Sequence, residues 1–212
     1  MGAGGAGVRS GPRGARVLLL RHGQSTWNAE RRGQGHADPA LSELGAAQAR
    51  SAAATLDPAT TVWASDLARA RRTAELLTPD GAAVRLDARL RERHVGAWTG
   101  LTRDEIERSY PGWLADGRRP EAWEDDEAVR ARAWPALGAA AAAAADAPVV
   151  AVSHGGLIRA VVSGLGAAPW PVPNLGGVWL EGDGERLQLG ARVSLLAGEG
   201  PGVDPGRGTP SE

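Results

Sequence analysis

Two stretches of the chain end an apolar run in a histidine followed by glycine: VLLLRHG at 17–23 and VVAVSHGG at 149–156. In the first, Arg21 stands directly before His22. A third apolar run, TVWA at 61–64, leads through Ser65 and Asp66 to Arg69. Charged and imidazole side chains at the ends of buried segments need partners, and the first segment offers no opposite charge before Glu30. An anion from outside the chain fits that vacancy. For a phosphate, one imidazole can serve as nucleophile, taking the phosphoryl group onto nitrogen. Fixed cations around it stabilise the charge spread over the equatorial oxygens, the work that Mg²⁺ does in kinases. A second imidazole, if protonated, adds charge and a donor. One histidine at a strand end is more often structural, and a lone His-Gly-Gly says little. Two histidines and two arginines at equivalent ends are harder to dismiss.

Arg69 adds a separate consideration. With Ser65 or Asp66 as N-cap it falls in the first turn of a helix, where a cation is disfavoured unless an anion lies between it and the helix end. Pairing with Asp66 at the surface is the other reading. Gly155 and Gly156 open a helix after His154, where free amides and absent side chains suit phosphate oxygens. Phosphoryl transfer also needs a proton donor for the leaving oxygen. Glu92, in the non-helical LRERHVG, is the candidate, against a plain loop salt bridge. Arg91, Arg93 and His94 favour its charged form and burial by Trp98 its neutral form.

The elements that must position these residues follow from pattern. Strands are expected at Arg16–Leu20, Thr60–Ala64, Ala83–Leu86, Pro148–Ser153, Gly177–Glu181 and Arg186–Ser194. Helices are expected at Ser42–Leu56, Asp66–Leu77, Thr102–Arg108, Asp125–Ala145 and Gly156–Leu165, with a capping box from Thr102 and Glu105. Such alternation argues for an α/β fold, a mostly parallel sheet with helices on both faces and a hairpin of the last two strands at an edge. In such sheets ligands bind beyond the carboxyl ends of the strands, where Arg21, His22, Arg69 and His154 converge.

Composition sets outer limits. The chain has 212 residues, room for one α/β domain, and no cysteine, which excludes thiol catalysis, disulfides and cysteine zinc sites. The histidines lack metal-ligand spacing, so no metal and no cofactor are expected. A net charge of −1 gives no basic field for nucleic acid. The chain contains no lysine and no phenylalanine, a GC-rich coding bias that makes arginine abundance weak evidence by itself. With one tyrosine, the eight tryptophans supply the aromatic core by default, although Trp27, Trp98 and Trp113 could line a pocket. The Gly- and Pro-rich ends, 1–15 and 197–212, are expected to be flexible tails around a domain at 16–196. No signal peptide or apolar span is evident, so a cytoplasmic protein without membrane partners is expected.

In sequence order, RHGQSTWN (21–28), RRGQG (31–35), SDLARARRTAELL (65–77), LRERHVGAWTGL (90–101) and VSHGGLIRA (152–160) resemble the motifs of the histidine phosphatase superfamily, which includes cofactor-dependent phosphoglycerate mutases. The resemblance spans roughly residues 16–195. It implies a six-stranded, mostly parallel sheet in a three-layer sandwich with a small helical lid. It implies His22 as the nucleophile that becomes phosphohistidine, Arg21, Arg69 and His154 with the Gly155 amide as the phosphate pocket, and Glu92 as proton donor and acceptor. Gly23, Ser25, Asn28, Gln34 and Gly35 match positions that reach phosphate or substrate. His36 beside Asp38 is read as modulating entry, and His94 as a lesser substrate contact. Dimers occur in the family, so a homodimer is compatible with the resemblance.

Two activities of the family differ only in the acceptor, water for a phosphatase and a held phosphoglycerate for a mutase. Glu92-Arg93-His94-Val95-Gly96, Arg103 and the pair Arg118-Arg119 resemble the mutase arrangement. Chain length, Trp98-Thr99-Gly100 and the C-terminal hairpin resemble the phosphatase branch. RHGQ, LSELG and HGGLI together look like its glucosyl-3-phosphoglycerate phosphatase group. A phosphomonoesterase acting on a small phosphorylated metabolite, a sugar phosphate or a phosphoglycerate-like acid, is therefore the expected function. The 2,3-bisphosphoglycerate-dependent mutase is the alternative. An inactive regulator that binds phosphorylated ligands is disfavoured, because His22, His154 and Glu92 are all present. Residues 109–147 follow no family pattern, and Trp123-Glu124-Asp125-Asp126 stands where a Gly-Gly-Glu-Ser motif is often seen.

Overall fold

The four-residue run Val17–Leu20 is apolar without alternation, as expected of a strand covered on both faces. In the computed structural model, which describes residues 14–57, 60–78, 82–144, 147–182 and 186–196, it forms the heart of strand β1 (Ala15–Arg21). Six strands lie in the order β3-β2-β4-β1-β5-β6. The others are β2 (Thr61–Ala64), β3 (Arg85–Leu86), β4 (Val149–Ser153), β5 (Gly176–Gly182) and β6 (Leu187–Ser194). Strands β1 to β4 run parallel, while β5 pairs antiparallel with β1 and β6 with β5, the expected hairpin at an edge.

Side chains alternate across the sheet. Val17, Leu19, Val149 and Ala151 pack against helices α5 (Asp126–Ala143) and α6 (Gly155–Gly164). Leu18, Leu20, Val150 and Val152 pack with α2 (Glu43–Ala53) and α3 (Ala68–Leu77) on the other face. The result is the three-layer α/β sandwich. The remaining helices are the one-turn α1 (Thr26–Ala29) and α4 (Arg103–Ser109), the latter opened by the expected Thr102–Glu105 capping box. The lid comes down to α4 and the turns of residues 110–125, tied to the body by isolated pairings of Arg32 with Thr102 and Val95 with Trp123.

Most boundaries differ from expectation by one or two residues. The largest shift is at the end of α2, which stops at Ala53 rather than Leu56, while α3 begins at Ala68 rather than Asp66 because Ser65 and Asp66 are engaged elsewhere. The segments expected as tails lie outside the described residues, except Gly14 and Ala15, and Ala15 opens β1.

Candidate active site

Strands β1 and β4 are neighbours in register, with Arg21 paired to Ser153. The backbone N–H of His22 extends this ladder to the carbonyl of Ser153 at 3.0 Å. His22 and His154 therefore emerge side by side, their rings 5.1 Å apart and inclined at 61°. His22 Nδ1 lies 2.6 Å from the carbonyl oxygen of Gly23. A carbonyl only accepts, so Nδ1 carries the proton and Nε2 keeps the lone pair that a nucleophile needs. Asn174 donates to the carbonyl of His22 at 2.9 Å, holding the turn.

The two arginines are fixed by main-chain carbonyls rather than by carboxylates. Arg21 Nη1 donates to Val172 at 2.6 Å, and Arg69 donates through Nη1 to Ala37 and Nη2 to Gly35. Arg69 is fully buried. Burial pulls both guanidiniums down to about 10, with the charge of Glu92 opposing. Burial, followed by the nearby Arg21 and Arg69, pushes His22 well below its ordinary value; burial, then Arg69, His22 and Arg21, does the same to His154. Burial thus favours the neutral form of both imidazoles, and an anion beside them would oppose the effect of the neighbouring arginines.

Among the described residues, six buried side-chain nitrogens lack any hydrogen-bond partner. Four belong to this cluster: Arg21 Nε, Arg69 Nε and both ring nitrogens of His154. The other two are indole N–H groups of Trp63 and Trp98. Buried polar nitrogens without partners are rare and costly, and the two guanidinium Nε–H groups and the one N–H of His154, set beside His22, suit an oxygen-rich anion.

Glu92 reaches the same place from the loop after β3. Its carboxylate accepts from the amides of Gly156 at 2.8 Å, Leu157 at 3.1 Å and Arg93 at 2.7 Å, occupying the N-terminus of α6. A side chain on Gly156 would overlap Glu92 Oε1, so the second glycine of His-Gly-Gly makes room for the acid. The salt-bridge reading of Glu92 fails, because Arg91 pairs with Asp66 and Arg93 with Asp126. Asp66 is thereby unavailable to Arg69, which removes the surface-pair reading of that arginine too. Nor does Ser65 or Asp66 cap α3. Leu67 is the N-cap, Ser65 Oγ accepts from Leu67 N–H, and the amide of Ala68 goes to Asp38 at 2.6 Å, a carboxylate brought from 30 residues upstream.

A cavity of about 470 Å³ opens over these groups, lined among others by Arg21, His22, Arg69, Glu92 and Gly155. Asn28, Gln34 and Gly35 also line it. Ser25 and Gly23 do not. Ser25 is buried, donating to Gln34 and capping α1, while the Gly23 amide goes to Thr73 Oγ1. They shape the loop from behind the cavity. His36 and His94 meet edge to face outside the cavity, their rings 5.3 Å apart and inclined at 88°, with His36 Nε2 against the carbonyl of Glu92. Of the tryptophans only Trp123 lines the cavity; Trp98 is core. Arg118 pairs with Asp116, whereas Arg119 lines the cavity and lies over the Trp98 and Trp123 rings. In place of the missing Gly-Gly-Glu-Ser, Glu124 holds Arg132, Asp125 caps α5 and Asp126 holds Arg93. Sequence reasoning missed Asn174, the Val172 carbonyl and Arg159. Only Arg159 carried a signal, by lying one helical turn after Gly155.

Comparison with known proteins agrees with this geometry. Residues 17–187 match the model of the histidine phosphatase superfamily (branch 1). Glucosyl-3-phosphoglycerate phosphatase of Mycolicibacterium vanbaalenii is 41% identical over 193 residues, 82% of this chain and 83% of the relative. That of Mycobacterium tuberculosis is 41% identical over 185 residues, 78% and 82% of the two chains. The solved structure of a mycobacterial glucosyl-3-phosphoglycerate phosphatase with VO3 is similar at a TM-score of 0.73 and 35% identity, covering 82% of this chain and 96% of that one. With its fold, its motifs and its relatives in agreement, the chain belongs to the histidine phosphatase superfamily and is a phosphatase.

Proposed function

We propose that the protein hydrolyses a small phosphorylated metabolite, of the sugar phosphate or phosphoglycerate-like kind, through a phosphohistidine on His22 and without a metal. The observation that carries this reading is the set of four partnerless buried nitrogens beside an imidazole whose Nε2 is free. In the first step Nε2 attacks phosphorus, the P–O ester bond breaks, and Glu92, protonated, gives its proton to the leaving oxygen. Arg21, Arg69 and His154 hold the equatorial oxygens throughout. In the second step Glu92 takes a proton from water as the water attacks phosphorus, and the P–N bond breaks to release inorganic phosphate. The amide cradle that Glu92 occupies keeps the carboxylate ready for that second role. Relatives named for glucosyl-3-phosphoglycerate support a phosphorylated sugar acid as the substrate.

The test is phosphate release from glucosyl-3-phosphoglycerate, the phosphoglycerates, sugar phosphates and p-nitrophenyl phosphate, with EDTA present. EDTA-resistant hydrolysis that falls by about 10³-fold or more in His22→Ala is expected, together with an acid-labile, base-stable phosphoenzyme. Unchanged turnover in His22→Ala overturns the mechanism. Interconversion of 2- and 3-phosphoglycerate with the bisphosphate present, and no hydrolysis, would make the protein a mutase.

A further inference from the structure

The cavity is lined by more positive charge than a phosphoryl group neutralises. Six arginines face it, Arg21, Arg32, Arg69, Arg93, Arg119 and Arg159, against two carboxylates, Glu92 and Asp126. Arg32 is matched by Glu30 and Glu105, and Arg93 by Asp126. Four guanidiniums then stand against Glu92 alone, so a phosphoryl dianion leaves at least one positive charge unmatched, and two while Glu92 holds its proton. Three of the four are held by contacts of their own: Arg21 and Arg69 by main-chain carbonyls, Arg119 by the Arg118 carbonyl and two tryptophan faces. Arg159 has no hydrogen bond or ion pair with any described residue.

Its position is specific nonetheless. Arg159 lies one turn into α6, and its side chain folds back toward the helix N-terminus, as helical side chains do. A side chain on Gly155 would come within 3.3 Å of Arg159 Nη1 and 3.6 Å of Arg21 Nε. The Arg159 guanidinium therefore stands next to the phosphate pocket, at the positive end of a helix and beside another arginine, where no described residue pairs with it. Resting on the phosphatase reading above, we propose that Arg159 is a specificity-determining residue that binds a carboxylate on the leaving group of the substrate. A carboxylate lowers that surplus, and the planar fork of a guanidinium matches it in two parallel hydrogen bonds.

The experiment compares 3-phosphoglycerate with glycerol 3-phosphate, which replaces the carboxylate by CH₂OH. Dissociation constants are measured calorimetrically in the His22→Ala background, where no turnover intervenes, with Arg159 intact and as Arg159→Ala or Arg159→Lys. With Arg159 present the carboxylate compound is expected to bind about 10- to 100-fold more tightly. Arg159→Ala should bring the two within about three-fold, and Arg159→Lys should keep part of the preference. Equal binding in the parent, or a preference that survives in Arg159→Ala, overturns the assignment. Because binding is read without turnover, a lost preference upholds Arg159 even if the wild type hydrolyses no member of the panel above, an outcome that would sink the phosphatase reading alone. Arg159 is exposed and alanine is a strong helix former, so unfolding does not confound the result; thermal melts of each variant verify this.

Discussion

His22 and His154 are buried side by side with two arginines and no carboxylate between them, and this sets how the free protein responds to acid. In the unfolded chain each imidazole takes up a proton near its ordinary value of 6.5; in the folded chain burial and the arginines prevent it. The unfolded state binds more protons, so stability is full above pH 6.5 and is lost as pH falls toward the depressed folded values. Each histidine should remove on the order of 1 kcal/mol between pH 7.5 and 5.5. His36, whose value is also lowered by burial, adds in the same direction. Urea midpoints at the two pH values measure this, and the drop should shrink in His154→Gln. A midpoint that does not move with pH would contradict neutral imidazoles. The candidate site residues were legible in sequence because their chemistry is unusual at strand ends. Asn174 was not, since an asparagine before a strand acquires meaning only from what the fold sets beside it, and Arg159 showed only its spacing from Gly155 in an arginine-rich chain.

Helices hold the nucleophile loop by approaching it at glycine. Gly45, in the first turn of α2, faces the loop so closely that a side chain there would overlap the carbonyl oxygen of Gln24, and a side chain on Gly23 would lie 2.6 Å from the carbonyl of Gly45. Gly45→Ala must push α2 away from the residues that follow His22. A loss of about 1–3 kcal/mol is expected from overpacking, with a parallel fall in kcat as the loop shifts. Denaturant unfolding and steady-state kinetics check both, and an Ala variant as stable and active as the wild type would show that α2 does not brace the loop. The elements were readable where periodicity is strong. The unbroken apolar run of β1 and the apolar faces of α3 and α6 placed strands and helices within a few residues. What escaped has a local cause: α1 is a single turn made by a capping box of Ser25 and Asn28. The start of α3 is decided by Asp38, a contact that no window of sequence around α3 contains.

At the scale of the whole molecule, ligand binding and global stability are one equilibrium, because the buried Nε–H groups of Arg21 and Arg69 have no partner among the described residues and an anion would supply one. Inorganic phosphate at 100 times its dissociation constant should stabilise the folded state by about 2.7 kcal/mol, raising Tm by roughly 5–10 °C for a domain of this size. Differential scanning calorimetry with and without phosphate tests it. Arg69→Met should abolish most of the shift, and a wild-type Tm indifferent to phosphate would count against an anion site. The same architecture governs how the enzyme is made. His22 and His154 touch because β1 and β4 are adjacent, yet β2, β3 and five helices are synthesised between them. On the ribosome the nucleophile emerges early, and its pocket cannot close until β4 follows and inserts between β1 and β2. Catalytic competence therefore arrives late and all at once in translation. A chain terminated before β4 carries the nucleophile without a centre to its sheet, and so yields a substrate for proteolysis instead of a partly active enzyme.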